Sequence, residues 1–245
     1  MKERPILFSA PMVNAILNGT KIVTRRTNGL DRVNLNPEAR TSAHYVNDGY
    51  WDLTMHDGTW HGLIKCPYGQ VGDQLWVRET WKPGAWRSDA RVAIDYAASP
   101  EITNTPWIHP LERADYFVVR DFFERMDAEI ESSGLSPDEN GFYHWEPGKS
   151  PMKWRPSIHM PRWASRIQLE ITNIRVERLQ DISRKDAIAE GAPPSHPSID
   201  KVSREFGYED FSRSWYAQLW ETINGAGSWD ANPWVWVIEF KVINS

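Results

Sequence analysis

Along residues 234–243 apolar and polar positions alternate, which places Trp234, Trp236, Ile238, Phe240 and Val242 on one side of an extended strand. Residues 166–179 alternate in the same way, with Ile167, Leu169 and Ile171 sharing a face. Shorter strands are predicted over residues 5–8, Tyr50–Met55, 59–65, 74–81 and 92–98, and His56-Asp57-Gly58 between the second and third is a hairpin signal. Elsewhere the spacing is helical. Met12, Val13, Ile16 and Leu17 form one stripe after Ser9 and Pro11, a capping residue and a first-turn proline, and Gly19 ends that helix. Val119, Phe122, Phe123, Met126 and Ile130 form a second stripe within residues 116–132, and Phe211, Trp215 and Leu219 a third. Ser183 and Asp186 open a short helix that Gly191 stops. Residues 193–203 read as a loop.

Several strands with a few short helices, and no repeated strand–helix alternation, predict an α+β fold built on a mixed β-barrel. Between residues 83 and 152 the texture changes to prolines, one amphipathic helix and a polar Gly/Pro-bearing stretch. The pattern predicts a single domain over residues 1–245 that carries a helical insertion at about 83–152.

Composition narrows the setting. No apolar run approaches the roughly 20 residues that span a bilayer, so no membrane partner is expected. The opening residues are too polar for a secretory signal, and one cysteine, Cys66, permits no internal disulfide. A cytoplasmic protein is expected. The 14 tryptophans exceed ordinary usage, and about half are expected in the core, the others at a stacking surface or interface. A net charge of -5 makes a poor non-specific duplex binder, so any nucleic-acid role needs a local site. Residues 149–178 hold seven basic against two acidic side chains, whereas residues 112–146 hold ten acidic against three arginines. These blocks either pair with each other or mark an acidic insertion beside a basic working surface.

Familiar phosphate-loop, dinucleotide, serine-hydrolase and zinc-protease motifs are missing, and no cofactor is expected. His56, His61 and Cys66 do not make a zinc pattern, so no metal is expected either. What remains is Gly19-x-Lys21-x-x-Thr24-Arg25-Arg26, then Gly72-Asp73-x-Leu75-x-Val77, then a helix ending in Glu190-Gly191. The first segment reads either as chemistry or as a polar edge with Thr24 bonded to backbone. Arg25 and Arg26 either clamp an anion or pair with a carboxylate such as Glu79. Trp76 is either a stacking platform or core. Residues 154–166 interleave Trp154 and Trp163 with Arg155, Arg162 and Arg166, which suits an RNA surface, a partner groove or a clasp for the insertion.

In order, these segments and the closing Val-Ile-Glu-Phe-Lys at 237–241 resemble the ASCH division of the PUA-like β-barrels, in the long form borne by phages and prophages. The resemblance covers about residues 5–30, 62–82, 153–192 and 208–243. It implies a PUA-like mixed barrel with short flanking helices and a nucleoside- or RNA-handling role. Within that group a small bacterial enzyme hydrolyses N4-acetylcytidine to cytidine and acetate with a Lys, a Thr and a Glu. Matched motif to motif, the resemblance implies Lys21, Thr24 and Glu190 as catalytic residues. Ligand contacts are then expected from Arg25, Arg26, Trp76, Glu79, Arg155 and Arg162. Two other roles stay open: a non-catalytic reader of RNA or modified nucleic acid, and a phage interaction protein that meets a protein partner through its acidic insertion.

Overall fold

A computed structural model of the chain describes residues 1–35, 41–55, 61–99, 107–112 and 114–244. The elements run β1 (Glu3–Leu7), α1 (Ala10–Leu17), β2 (Val23–Arg26), β3 (Thr41–Asn47), β4 (Tyr50–Met55), β5 (His61–Lys65), β6 (Gln74–Arg78), β7 (Trp81–Trp86) and β8 (Val92–Tyr96). They continue with α2 (Tyr116–Glu131), β9 (Gln168–Arg178), α3 (Arg184–Ala189), α4 (Pro197–Glu205), α5 (Phe211–Asn224) and β10 (Trp234–Asn244). The class is α+β. The described strands form open sheets, in the orders β1-β6-β9-β10-β2, β3-β4-β5 and β7-β8, and among the described residues none closes into a barrel. No helix among them is long and apolar enough to cross a membrane. The proposed hairpin turn at 56–58, with His56, lies outside the described residues.

Two compact units divide the chain. The first comprises residues 1–4, 15–75 and 168–245, and the second residues 5–14 and 76–167. The stretch at 83–152 lies within the second unit, which also takes in sequence on both sides of it.

In the first unit β9 and β10 are long antiparallel partners. Asn173 pairs with Glu239 and Ile171 with Phe240, so Thr172 is an extra residue in β9. Without that bulge Ile174 would turn to the opposite face from Ile171; with it, both are buried on the same side. β10 is buried on both faces, because Val235 and Val237 join α3 and α5 in one cluster while Trp236 and Ile238 face the other way. On that second side Trp51 of β4 meets Trp236 edge to face, with centroids 5.8 Å apart. The Gly69–Gly72 turn cradles Asp73, whose carboxylate accepts from the Lys2 amide and Arg4 Nη1, each at 2.8 Å. Gly69 has φ +115°, and a Cβ there would lie 2.5 Å from Arg4 Nη1 and 2.7 Å from Asp73 Oδ2.

Residues 197–205, expected to lie largely in a loop, form α4. The prolines and serines that suggested a loop are start signals, with the His196 side chain accepting from the Ser198 amide and Pro197 in the first turn. The buried side of α5 is also turned by one position from the expected one. Ser212, Tyr216, Ala217 and Trp220 are buried, whereas Phe211, Trp215 and Leu219 are half-buried.

The second unit is held by aromatic packing. Trp81 of β7, Trp163 and Phe122 of α2 form one cluster, and Met126 and Ile130 continue it to Met152. Residues beyond α2 are strapped to β7 by Trp145 Nε1 donating to the Gly84 carbonyl and Ser150 Oγ to that of Pro83. Glu79 is buried under a two-pronged hydrogen bond from Arg166 Nε and Nη2, each at 2.9 Å. Burial pushes the Glu79 carboxyl above its ordinary pKa, and Arg166 recovers only part of that rise.

Replacing Arg166 by methionine leaves Glu79 buried without its cation, so unfolding free energy is expected to fall by about 3–5 kcal/mol at neutral pH. A carboxyl whose folded pKa is raised takes up its proton more readily in the fold than in the unfolded chain. The loss is therefore expected to shrink as pH drops through that folded pKa, which urea titrations at pH 7 and pH 5 would measure.

Candidate active site

The turn after α1, strand β2, the end of α3 and the middle of α5 bring Lys21, Arg25, Glu190 and Tyr216 together within the first unit. Gly19, at φ +72°, turns the chain out of α1, and the Lys21 amide then bonds to the Ala15 carbonyl. Ser183 caps α3 by accepting from the Asp186 amide, and Gly191, at φ +105°, stops it just after Glu190. The Ile22 amide donates to the Ala189 carbonyl and ties the two turns together. Lys21 and Glu190, 169 residues apart in sequence, thereby meet.

Lys21 Nζ donates to the Val23 carbonyl at 2.9 Å, to the Glu190 carbonyl at 3.0 Å and to Glu190 Oε2 at 2.5 Å. The other carboxylate oxygen, Oε1, receives Arg25 Nη1 at 3.3 Å and the Tyr216 hydroxyl at 3.2 Å. Lys21, Arg25, Glu190 and Tyr216 are all buried. Glu190 sits at a helix C-terminus, where the backbone disfavours negative charge, and two cations offset that.

From Arg25 the charges continue outward. Its Nη2 reaches Glu177 at 2.5 Å and Asp186 at 3.2 Å, and Arg175 joins Glu177 and Asp186 to Glu239. Strand register explains the assembly. Arg25 pairs with Val237, which pairs with Arg175, and Val235 pairs with Glu177, so all these side chains leave one face of the sheet.

The electrostatics are uneven. Burial lowers the pKa of Lys21, and the attraction of Glu190 does not fully restore it. Burial works against the charge on Arg25 too, but Glu190, Tyr216 and Glu177 outweigh it and raise its pKa. The Tyr216 hydroxyl is pushed well up by burial and by the neighbouring Glu190 charge. Lys21 is thus the cation of the cluster whose hold on its proton is weakened.

No protein-family model, curated protein or solved structure matches the chain.

Of the residues singled out in the sequence, Lys21, Arg25 and Glu190 come together. Thr24 is buried on β2, but it pairs with Ile238 and so leaves the sheet face opposite Arg25. Arg26 is half-buried and hydrogen-bonds the Tyr68 hydroxyl. Arg25 pairs with Glu177, Asp186 and Glu190, and Glu79 with Arg166. In the second unit Trp76 is buried under the guanidinium groups of Arg78 at 4.7 Å and Arg162 at 6.0 Å. Arg155 pairs with Glu129 at 3.0 Å, so the basic and acidic blocks of the sequence are joined at this point.

Sequence reasoning missed Tyr216, Glu177, Asp186, Arg175 and Glu239. Tyr216 stands one place from Trp215 of the apolar stripe on α5, and a tyrosine beside a helix stripe carries no polar signal of its own. Asp186 was recognised as a cap partner, and it serves the arginines as well.

Glu190→Gln is expected to cost about 3–5 kcal/mol of stability, because it strands the buried Lys21, and Lys21→Met less, because Arg25 and Tyr216 stay on Glu190 Oε1. The double variant is expected to cost clearly less than the sum, a coupling that urea denaturation of the four proteins measures directly.

Proposed function

We propose that the first unit hydrolyses the exocyclic amide of an N4-acylated cytosine nucleoside, with N4-acetylcytidine giving cytidine and acetate. The observation that carries this reading is the buried contact between Lys21 and Glu190, in which a lysine with a weakened hold on its proton touches a carboxylate. The ASCH-like order of motifs in the sequence supports it.

The resemblance gives attack on the acetyl carbonyl to Thr24 Oγ and receipt of its proton to Lys21 in the neutral form. Because Thr24 leaves the sheet face opposite Arg25, this step requires β2 to bring Thr24 and Lys21 onto one side when substrate binds. The C–N bond breaks as a proton passes, through Glu190, to the departing cytosine amine. Water then hydrolyses the threonine ester, releasing acetate and restoring the hydroxyl. Arg25 and Tyr216 hold Glu190 Oε1 and leave Oε2 to exchange a proton with Lys21. The arginines of the second unit are less suited to an open basic groove, because Arg155 and Arg166 already carry carboxylate partners.

Release of cytidine from N4-acetylcytidine, followed by chromatography, is the test. Thr24→Ala, Lys21→Ala and Glu190→Ala are each expected to reduce kcat/KM by 100-fold or more, the order expected of a lost nucleophile or proton carrier. Because burial lowers the Lys21 pKa, kcat/KM is expected to rise with pH and level off below the ordinary lysine range. Absence of cytidine release by the unaltered protein would reject this substrate.

A further inference from the structure

The second unit holds a cleft that the amidohydrolase reading does not use. Its volume is about 670 Å3, and β7, the turn after it, helix α2 and residues 141–145 line it. Four of the lining side chains are aromatic: Trp86, Phe142, Tyr143 and Trp145. Phe142 is 59% exposed, and the other three are half-buried, packed against Met126, Ile130 and Met152. What stays accessible of these residues borders the cleft. Trp86 and Trp145 lie against each other at 5.3 Å between centroids, with their planes at 47°. Trp145 Nε1 also donates to the Gly84 carbonyl at 2.6 Å, so the aromatic wall is held in place by the fold itself.

The charges around this wall indicate the kind of ligand. Of the two lining carboxylates, Asp89 is paired with Arg91 at 3.3 Å. Asp127 of α2 has neither an ion-pair nor a hydrogen-bond partner among the described residues. It stands beside Glu131 instead, and partial burial together with that like charge raises its pKa. His144 is taken by Asp138 at 2.8 Å, and the guanidinium of Arg87 lies 4.1 Å from the centroid of Trp107. Residues 112–146 around the site carry ten acidic side chains against three arginines. The cleft thus sets aromatic rings, whose faces are electron-rich, next to a carboxylate that lacks a cation. An anion would be repelled by Asp127, and an uncharged ligand would leave it uncompensated. An ammonium covered by methyl groups uses both features, because it is weakly hydrated and keeps its charge.

We propose that this cleft binds a methylated ammonium, with the cation against Trp86, Tyr143 and Trp145 and its charge balanced by Asp127. Free choline and the side chain of a trimethylated lysine share this chemistry. The site uses none of the residues of the Lys21 cluster.

The test is a two-dimensional 1H–15N spectrum of the whole protein, in which the Trp86 and Trp145 indole signals are assigned by triple-resonance methods and followed during titration. The probes are choline, its uncharged isostere with carbon in place of nitrogen, and a capped trimethyl-lysine. Choline is expected to move both signals with a Kd on the order of 1 mM, and the isostere to bind roughly ten-fold more weakly or less. Trimethyl-lysine binding ten-fold tighter than choline would identify a protein side chain as the ligand, and equal or weaker binding a free small cation. Asp127 is exposed and unpartnered, so Asp127→Asn should fold. It is expected to weaken choline binding roughly five-fold or more. Asp121→Asn, which removes a carboxylate of the same helix that does not line the cleft, is expected to leave choline affinity unchanged. Indole signals unmoved by choline at ten times that Kd would overturn the proposal. So would an isostere that binds as tightly as choline, or Asp127→Asn binding choline as well as Asp121→Asn does.

Discussion

A lysine and a glutamate 2.5 Å apart and out of water set the terms for the first unit. Each ion loses hydration worth several kcal/mol when buried, and their mutual attraction offsets this only if the remaining donors and acceptors are also satisfied. The surrounding elements do so. The Val23 and Glu190 carbonyls also accept from Lys21, while Arg25 and Tyr216 donate to the second oxygen of Glu190. Strand β2, the C-terminal turn of α3 and helix α5 are therefore held to one another by polar contacts as well as by the apolar cluster of Val23, Ala187, Tyr216 and Val237. Because the pair is dry, its electrostatics are strong, and small changes in its partners translate into changes in proton affinity. A site for proton transfer needs that sensitivity.

The two units meet the problem of buried charge at different strengths. In the second unit, Glu79 and Arg166 form a flat, two-pronged pair whose guanidinium also lies 4.1 Å from the centroid of Tyr96. That geometry locks both side chains and leaves little freedom for a proton to move. The Lys21 ammonium is a compact donor on a flexible stem, so the same degree of burial gives it a labile proton. Of these two buried pairs, the one at Lys21 has the cation whose hold on its proton is weakened.

Much of the local structure was legible in the sequence. Period-two alternation located β9 and β10, since a strand with one apolar side must repeat that way, and Ser183, Gly19 and Gly191 marked helix ends through the backbone geometry they favour. Lys21 and Glu190 were singled out because motif order brought them together, and their meeting follows from two glycine turns that the sequence displays. The rest depended on long-range register. Nothing local says that Glu177 and Asp186, rather than Glu79, take Arg25, because that choice is made when β2, β10 and β9 align. The bulge at Thr172 hides the continuity of Leu169, Ile171 and Ile174 by breaking the alternation. Helix α4 was hidden by Pro197, which breaks helices in the interior but suits their first turn. Tyr216 escaped because tertiary packing rotated the buried side of α5 by one residue, a choice made by the sheet it covers.

The central claim is that Lys21 is held buried against Glu190 with its proton weakly bound. Carbon-13 NMR of selectively labelled lysine Cε signals, followed against pH, tests it most directly, with the Lys21 signal identified by its loss in Lys21→Arg. Lys21 is expected to titrate below the surface lysines, which lose their protons near the ordinary value of about 10.4. Titration of Lys21 together with the surface lysines, or above them, would contradict the claim and leave the pair as a structural bond only.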